Sequence, residues 1–538
     1  MALLLVFIAG TALGQRGLWT VLTGSWSDFV SDWQAGRAGD DLPTLIIDMS
    51  FDAYSAILAQ REEALVTAVF IAAESDFQPA TMSLDNQTIP IRLRLRQGTA
   101  VHLGDNDKWN LDIRTRDNQL LLGMQRFYLI DPADNNWQNE WAFLESLRRE
   151  DILATGYRFV RLVFNGDDRG VYALQEGFGS ELPTAQGRPP GVIVEFDATR
   201  LWQAAAAAGD AAVAEADPVT NLTADDFRFF EVDTFRDASI ANDDLLSAQK
   251  DDAIGLLRGL QSGQLAAADV FDVDRYGRFL ALADLWGASE AVSLVNLRYY
   301  YHPETGKLEP IGFNAAPLPA DNSRRISLDA TYNDLDLQAA YVQAMQQISH
   351  PQYLAELQAS LEPEWQTRTQ LLRGVHAQPP PWEALARRQE LLRQSLSPAQ
   401  PVFAYLGPPE LSIDAIIQVD VANVLNLPVE ILGFDIDGAT FLDADPAWLH
   451  DMWPPLLLDD PERIILKPVD GETAVLRYAR FHLPLTQIIA QDNELDFNHE
   501  ITISVATRLW GLAETQLTAA RPGYPAPIGR PETVSGTD

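Results

Sequence analysis

Cysteine is absent from the 538 residues of the chain. Its absence excludes disulfides, thiolate metal sites and cysteine nucleophiles, but it does not discriminate between cellular compartments. Histidine is scarce too, and the seven histidines are scattered without the spacing of a metal-binding motif. We therefore expect no histidine-based metal site.

Basic residues are few relative to acidic ones, 39 against 76, and the formal net charge is −37. So negative a chain repels nucleic-acid phosphate, and no nucleic-acid partner is expected. The exception is the run IRLRLR, in which Arg92, Arg94 and Arg96 alternate with apolar residues. This spacing places all three on one face of a strand. That face is either a solvated surface or a patch that binds an anion.

A long apolar run occurs only at the N-terminus, where residues 1–14 read MALLLVFIAGTALG. They are too few for a membrane-spanning helix, which needs about 20 residues, and the basic residues that usually precede a signal sequence are missing. We predict a signal peptide or membrane anchor over 1–25, hence an extracytoplasmic protein of a prokaryote. A buried N-terminal helix is the alternative.

What is abundant is material for a core. Hydrophobic residues make up 47% of the chain, with 13 Trp, 14 Tyr and 23 Phe. Strand and helix patterns mix over residues 40–400, and period-2 strand patterns with Pro, Gly and Asp turns follow. These patterns predict an α+β domain over 40–400, an all-β sandwich over 401–525 and a disordered tail over 526–538.

Two stretches carry most of the functional information. One extends from Lys108 to Phe178 and includes KWNLDIR, GMQRFYLIDP, NEWAFLESL and YRFVRLVFNGDDRGVYALQEGF. The other, NLRYYYHPETGKLEPIGFN, extends from Asn296 to Asn314. Together they resemble the CotH family, the spore-coat-protein-H type of atypical protein kinase. The resemblance implies a two-lobed kinase-like domain over 40–400, with a small lobe to about Phe178 and a helical lobe after it.

The first stretch would supply the nucleotide-binding side chains. The resemblance implies that Lys108 contacts phosphate, with Arg96 nearby. It also implies that Glu140, in the helix NEWAFLESL, pairs with that lysine; Glu145 is the alternative partner on another face of the helix. Glu176 would begin the linker between the lobes, whose backbone would contact the adenine of ATP.

The second stretch would supply the metal site and the base. Asn296 matches the asparagine that donates an amide oxygen to Mg²⁺, and Glu290 is the residue upstream that would serve as catalytic base. Asn314 stands where the family pattern has a metal-binding aspartate. Mg²⁺ prefers carboxylates, so this departure weakens the expected site. Asp321 would replace the ligand only if its loop folds back.

The resulting expectation is a weak kinase or pseudokinase with ATP and Mg²⁺ (or Mn²⁺) as cofactors. If active, it would transfer phosphate to Ser or Thr hydroxyls of a protein substrate. The alternative is a non-catalytic envelope or surface scaffold that binds an envelope partner.

Overall fold

The chain forms helices and strands in two compact units. The computed structural model describes residues 42–85, 87–100, 103–104, 108–117, 119–208, 230–235, 240–319, 334–407, 416–451, 460, 462–469, 476–484 and 501–523. The first unit comprises Met1–Ile326 and Pro351–Gln389, and the second comprises Ser327–His350 and Glu390–Asp538. Both helices and strands are abundant, so the expected α+β class is confirmed.

Strands of the first unit form a closed barrel and a separate five-stranded sheet. The barrel has the order β1-β3-β4-β6-β7-β10-β9, the second sheet has the order β12-β11-β13-β14-β8, and β2 pairs with β5. The strands are β1 (Thr44–Asp48), β2 (Val69–Phe70), β3 (Gln78–Leu84), β4 (Gln87–Leu95), β5 (Gly98–Thr99), β6 (Leu111–Thr115), β7 (Arg126–Ile130), β8 (Leu153–Ala154), β9 (Tyr157–Phe164), β10 (Asp167–Glu176), β11 (Ile193–Asp197), β12 (Glu231–Thr234), β13 (Arg298–His302) and β14 (Lys307–Gly312).

Helices occur throughout the described chain. They are α1 (Phe51–Thr67), α2 (Gln138–Arg149), α3 (Glu181–Ala185), α4 (Thr199–Ala208), α5 (Asp244–Gln261), α6 (Ala267–Val270), α7 (Val273–Trp286), α8 (Leu335–Ile348), α9 (Pro351–Leu371) and α10 (Trp382–Leu396). The predicted helix NEWAFLESL is confirmed as α2. Its buried residues Trp141, Leu144 and Leu147 anchor it in the first unit.

Strand β4 explains how the arginine run is oriented. Ile91, Leu93 and Leu95 are fully buried in the barrel core. Because successive side chains of a strand point to opposite faces, the alternating arginines lie on the outer face of the barrel. Because the apolar side chains of β4 pack inside the barrel, its guanidinium groups lie in a row on the outer surface of the barrel.

The sequence YRFVRLVFNGDDRGVYALQEGF, residues 157–178, predicts a β-hairpin with NGDDRG as its turn. The hairpin is confirmed, but its turn is shorter, because Asp167 to Gly170 already belong to the second strand. Strands β9 and β10 pair antiparallel, with Asp167 opposite Phe164. The two residues between them, Asn165 and Gly166, have φ of 48° and 86°. An Asn-Gly pair suits such a turn because both residues tolerate positive φ. The hairpin ends at Glu176, where the chain passes from the barrel to the second sheet.

Gly312 allows α2 to pack closely on the end of β14. A Cβ atom at this position would lie 2.2 Å from Leu147 Cδ1 and 3.2 Å from Leu144 Cδ2. Gly312→Ala should therefore lower the free energy of unfolding by about 1–3 kcal/mol, the usual cost of overpacking a core. Urea denaturation measures the change.

Gly255→Ala is the matched control for that prediction. Gly255 lies inside α5, and a Cβ atom there would meet no atom within 4 Å. The same substitution should stabilise the chain by about 0.5–1 kcal/mol, because alanine is the better helix former. Equal effects of the two substitutions would contradict the close packing of α2 on β14.

The second unit contains two further sheets. One has the order β19-β21-β16-β15-β24; the other has the order β18-β17-β22-β23, with β20 paired to β17. Phe434 of one sheet and Phe481 of the other have ring centroids 5.2 Å apart. The strands are β15 (Val402–Leu406), β16 (Ile416–Asn423), β17 (Val429–Ile436), β18 (Thr440–Asp443), β19 (Leu449–Asp451), β20 (Ile464–Leu466), β21 (Ala479–Pro484), β22 (Ile503–Leu509), β23 (Thr515–Ala519) and β24 (Arg521–Pro522).

Helix α8 belongs to the second unit, together with these strands, although it precedes the last segment of the first unit in the sequence. Trp510 Nε1 donates a hydrogen bond to Leu335 O over 2.7 Å. Gly511, with φ of 91°, lies so close to α8 that a Cβ atom would be 2.9 Å from the Ala339 backbone. Packing between segments that are distant in the sequence therefore places α8 in the second unit.

The predicted apolar signal or anchor over 1–25 and the predicted disordered tail over 526–538 both lie outside the described residues. Among the helices that the structure describes, none is both long enough and apolar enough to cross a membrane.

Candidate functional site

An open cleft of about 1040 Å³ lies within the first unit, between the outer face of the barrel and the second sheet. Strands β4, β6 and β7 supply one wall; β11, β13 and the chain after β14 supply the other. Of the seven residues that the resemblance assigns to a catalytic, cofactor or metal site, four line this cleft. They are Arg96, Glu290, Asn296 and Asn314.

A chain of hydrogen bonds joins these residues across the cleft. Arg96 Nη2 donates to Asn314 Oδ1 over 3.4 Å, and Asn314 Nδ2 donates to Asn296 Oδ1 over 3.2 Å. Asn296 Nδ2 in turn donates to the backbone oxygen of Glu290 over 3.0 Å. Asn314 has φ of 49°, a left-handed conformation that asparagine tolerates better than most residues. Residues more than 200 positions apart thus meet at one point.

Glu140 lies directly behind Asn314, but it does not pair with a lysine. Its carboxyl group is fully buried and accepts hydrogen bonds from the backbone amides of Ala315 at 3.1 Å and Ala316 at 2.9 Å. Burial raises the pKa of Glu140 to about 8, although these amides and Arg96 oppose the shift. Its observed role is to hold the backbone that follows Asn314. Glu145, the alternative, forms an ion pair with Arg148 on its own helix.

Lys108 is engaged away from the cleft. Its ammonium donates to Val171 O over 2.9 Å and lies 3.5 Å from Asp131 Oδ1. It also lies 5.7 Å from the centroid of the Trp137 ring. The expected Lys108–Glu140 pair is therefore not formed. The cation that approaches Asn314 is Arg96, which belongs to the neighbouring strand β4 and its continuation.

Glu176 is buried at the linker and does not line the cleft. Its carboxylate accepts from the Gly156 amide over 2.9 Å, and burial raises its pKa. The amides of Glu176 and Gly177 donate to Gly156 O and Arg126 O over 2.8 and 2.9 Å. These two amides are thus committed to the protein, which leaves neither free for an adenine edge.

The residues present do not fit a Mg²⁺ ion. The side-chain oxygens of Asn296 and Asn314 already accept hydrogen bonds, and both are neutral ligands. The guanidinium of Arg96 lies where a cation would approach Asn314, so a metal ion there would meet like charge. Within the described ranges, no group of three or more His, Asp or Glu side chains could hold a metal. Asp321 lies outside those ranges.

A further arginine of the inner cleft, Arg298, was part of the second stretch but was not singled out from the sequence. It forms a 2.7 Å ion pair with Glu195, whose pKa is raised to about 6 by burial. The Arg96 and Arg298 guanidinium carbons lie 5.4 and 5.8 Å from the Phe313 ring. Two cations thus flank one aromatic ring. The alternation of RLRLR was a signal for Arg96, but Arg298 has no comparable pattern.

Arg96 is the cation best placed to meet an incoming anion. It is half-buried, and burial lowers the pKa of its guanidinium. Among the described residues it forms no ion pair; its contacts are Asn314 and the rings of Tyr128 and Phe313. An arginine fork held in this way suits a phosphate, which it can bind through two parallel hydrogen bonds.

No protein-family model matches the sequence, and no curated protein matches it at a significant level. The geometry of the cleft therefore carries the functional conclusion.

Glu140 gives the chain a pH dependence that can be measured. Burial raises the pKa of Glu140 to about 8 in the folded chain, whereas an exposed glutamate of the unfolded chain has a pKa of about 4.5. Between these values the folded state holds one proton more than the unfolded state, so stability falls as pH rises and the loss is complete above about pH 8. Glu140→Gln removes this titration. The melting temperature of the variant minus that of wild type should therefore increase from pH 5 to pH 9.

Glu145→Gln provides the control on the same helix, since Glu145 is an ion-paired surface residue. Its difference from wild type should stay nearly constant over this range. A constant difference for Glu140→Gln as well would mean that Glu140 is ionised in the folded chain at every pH tested.

Proposed function

We propose that the chain is a CotH-like pseudokinase. In this proposal the cleft binds a phosphate-bearing ligand without metal, and it does not transfer the phosphoryl group. The fold proposal that accompanies it is a two-lobed kinase-like domain, with the barrel as small lobe, followed by a β-sandwich. The cleft between the barrel and the second sheet supports the proposal of two lobes. The hydrogen bonds that join Arg96, Asn296 and Asn314 support the proposed ligand site.

The observation that carries the proposal is the position of Arg96. Its guanidinium bonds to the side chain at the position where the family pattern places a metal-binding aspartate. A fixed positive charge there supplies electrostatic stabilisation for phosphate oxygens without an ion. Asn314 is neutral, so it takes none of that charge; the anionic groups that act on Arg96 are Asp134 and Asp112, with which it forms no ion pair among the described residues.

The linker residues Glu176 and Gly177 offer no free backbone amide to the base of ATP. The amides of Glu176 and Gly177 are already bonded within the protein. Phe178 packs on Phe313 and Phe235, with ring centroids 4.8 and 4.5 Å apart. We therefore propose that the phosphate groups of ATP contribute most of its affinity and that tripolyphosphate is an adequate substitute.

Loss of transfer follows from the same chemistry. Phosphoryl transfer depends on neutralising the charge that develops on the transferred group and on positioning the attacking hydroxyl. Glu290 lines the cleft, so a carboxylate is present for the second task. The ion that supports the first task does not fit the residues present. Binding without turnover is the outcome.

The experiment is a thermal-shift titration in EDTA with ATP, tripolyphosphate and adenosine, followed by a test for phosphate transfer with Mg²⁺ or Mn²⁺. The proposal predicts similar shifts with ATP and tripolyphosphate, none with adenosine, and no labelled protein product. Labelled product would restore the kinase expectation. The absence of any shift at millimolar ligand would favour the alternative, an envelope or surface scaffold with a structural cleft.

An extracytoplasmic location, in a prokaryote, belongs to the same proposal. It rests on the apolar residues 1–14. Fractionation of cells that express the full chain tests it, and a soluble cytoplasmic chain that retains Met1 would contradict it.

A further inference from the structure

Three guanidinium groups surround one phenylalanine ring on the barrel face of the cleft. The ring of Phe77, itself nearly buried, lies 4.2 Å from the guanidinium carbon of Arg114, 4.3 Å from that of Arg94 and 5.5 Å from that of Arg92. Contacts of this kind hold cations in place over an aromatic face. We call Arg92, Arg94 and Arg114 the Phe77 cluster.

The Phe77 cluster contains like charges in direct register. Arg92 on β4 lies opposite Arg114 on β6, and Arg114 lies opposite Arg126 on β7. Like charges directly opposite one another in neighbouring strands destabilise a sheet. The chain has only 39 basic residues against 76 acidic ones, yet several are set side by side here. A bound anion would offset this repulsion.

Among the described residues, two carboxylates form ion pairs with the Phe77 cluster, and they differ in exposure. Asp112 is buried, with Arg94 Nη2 2.9 Å from its Oδ2. Glu74, in a short 3-10 helix, lies 2.7 Å from Arg114, but its side chain is 68% exposed. Partial burial would raise the pKa of Glu74, but Arg114, Arg94 and Arg126 together lower it. Glu74 is therefore an ionised, exposed partner that a stronger anion can displace.

The Arg92 guanidinium has no acceptor among the described residues. It forms neither a hydrogen bond nor an ion pair with them, and its contact is the Phe77 ring. Arg94 also donates to Ala73 O over 2.8 Å, which fixes the segment that carries Glu74. The Phe77 cluster thus has one available guanidinium, that of Arg92, and two that are held in place. The exposed carboxylate of Glu74 lies beside it.

We propose that the Phe77 cluster is a second anion site of the cleft, which binds a phosphomonoester dianion after Glu74 moves aside. Without Glu74, three guanidinium groups face the single carboxylate of Asp112, and the excess of two positive charges matches a dianion. Arginine forks bind phosphate oxygens through paired hydrogen bonds. Glu74 is then an internal competitor that keeps the site closed to weak anions.

This inference deepens the proposed function, on which it rests, because it adds a second phosphate subsite to the same cleft. The Cα atoms of Arg92 and Arg96 are four residues apart along one extended segment, which corresponds to about 13 Å. Arg94 and Arg114 are held around the Phe77 ring, whereas Arg96 bonds to Asn314. The inner position near Asn314 and the Phe77 cluster are therefore separate subsites.

The test is a titration of the full chain with inorganic phosphate and, separately, with phosphoserine, at constant ionic strength set with NaCl. Melting temperature is the readout, since a ligand that binds the folded state raises it. Tripolyphosphate at saturating concentration first fills the inner subsite. The two probes separate free phosphate from a phosphorylated side chain, and serine is the uncharged comparison for the second.

Arg92→Gln should raise the dissociation constant for phosphate about tenfold, as expected when one charge-assisted hydrogen bond is lost. Glu74→Gln should lower it about threefold, since removal of an exposed ion-pair partner frees Arg114. Opposite changes of the two dissociation constants are expected if Glu74 competes with phosphate for the arginines. The Arg92 side chain forms no hydrogen bond with a described residue, so we expect Arg92→Gln to keep the fold.

Matched controls come from another ion pair of the same barrel, Arg161 with Asp168, which is also exposed. Arg161→Gln and Asp168→Asn change net charge by the same amounts and should leave the dissociation constant unchanged. Equal constants for wild type, Arg92→Gln and Glu74→Gln would overturn the second site. ATP binding that depends on Arg96 would then still support the proposed function. If ATP binding did not depend on Arg96 either, the proposed function would be contradicted together with the second site.

Discussion

Arg96→Gln is expected to weaken the binding of ATP in EDTA about thirtyfold or more. Removing one partner of a desolvated charge pair costs about 2 kcal/mol or more, which corresponds to that factor. Arg96 is half-buried against Tyr128 and Phe313, so solvent screens it less than an exposed arginine. Its neighbour Asn314 carries no charge that could take over.

Isothermal titration calorimetry with ATP in EDTA measures this effect, and two further variants sharpen it. Arg96→Lys keeps the charge but loses the planar fork, so its affinity should fall between those of wild type and Arg96→Gln. Arg161→Gln changes an exposed arginine on the same barrel and should bind like wild type. An unchanged affinity for Arg96→Gln would place the phosphate away from Asn314.

Asn314→Asp is expected to make ATP binding depend on metal: the variant should bind ATP more tightly with Mg²⁺ than in EDTA. A carboxylate at this position would lie within about 3.4 Å of Arg96 and form an ion pair with it. That pair neutralises the cation that meets the ligand, so affinity for ATP in EDTA should fall about tenfold. With Mg²⁺, part of the affinity should return, because the ion prefers a carboxylate to an amide oxygen.

Asn314→Gly separates charge from side-chain loss. Glycine adopts the positive φ of 49° without strain and adds no charge. This variant should retain metal-free binding within a few-fold of wild type. If Asn314→Asp and Asn314→Gly lose the same affinity in EDTA, the amide itself holds the ligand, and the charge account of Arg96 is wrong.

Local patterns predicted the elements that build the cleft. The alternation in IRLRLR predicted the common face of Arg92, Arg94 and Arg96, since burial of Leu93 and Leu95 leaves the arginines outside. The turn residues NGDDRG and the apolar spacing of NEWAFLESL predicted the hairpin and α2 in the same way, although the observed turn is limited to Asn165 and Gly166. Period and turn chemistry act over a few residues, so one sequence is enough to recognise them.

Such local patterns could not predict hydrogen bonds and ion pairs between residues that are far apart in the sequence. Nothing near Glu140 indicates that it bonds the amides of Ala315 and Ala316, 175 residues later. Nothing near Lys108 indicates that Val171 and Asp131 hold it away from the cleft. These partners depend on how the barrel, α2 and the second sheet pack together, and packing is a property of the whole unit.

Metal-independent binding at Arg96 is the central claim, and one comparison tests it most directly. The dissociation constant of the wild-type chain for ATP is measured by calorimetry in EDTA and again in excess Mg²⁺, at equal ionic strength. The account predicts binding in EDTA that is at least as tight as binding with Mg²⁺, because the ion neutralises phosphate charge that Arg96 would otherwise meet. Binding that requires Mg²⁺ and is lost in EDTA would contradict it.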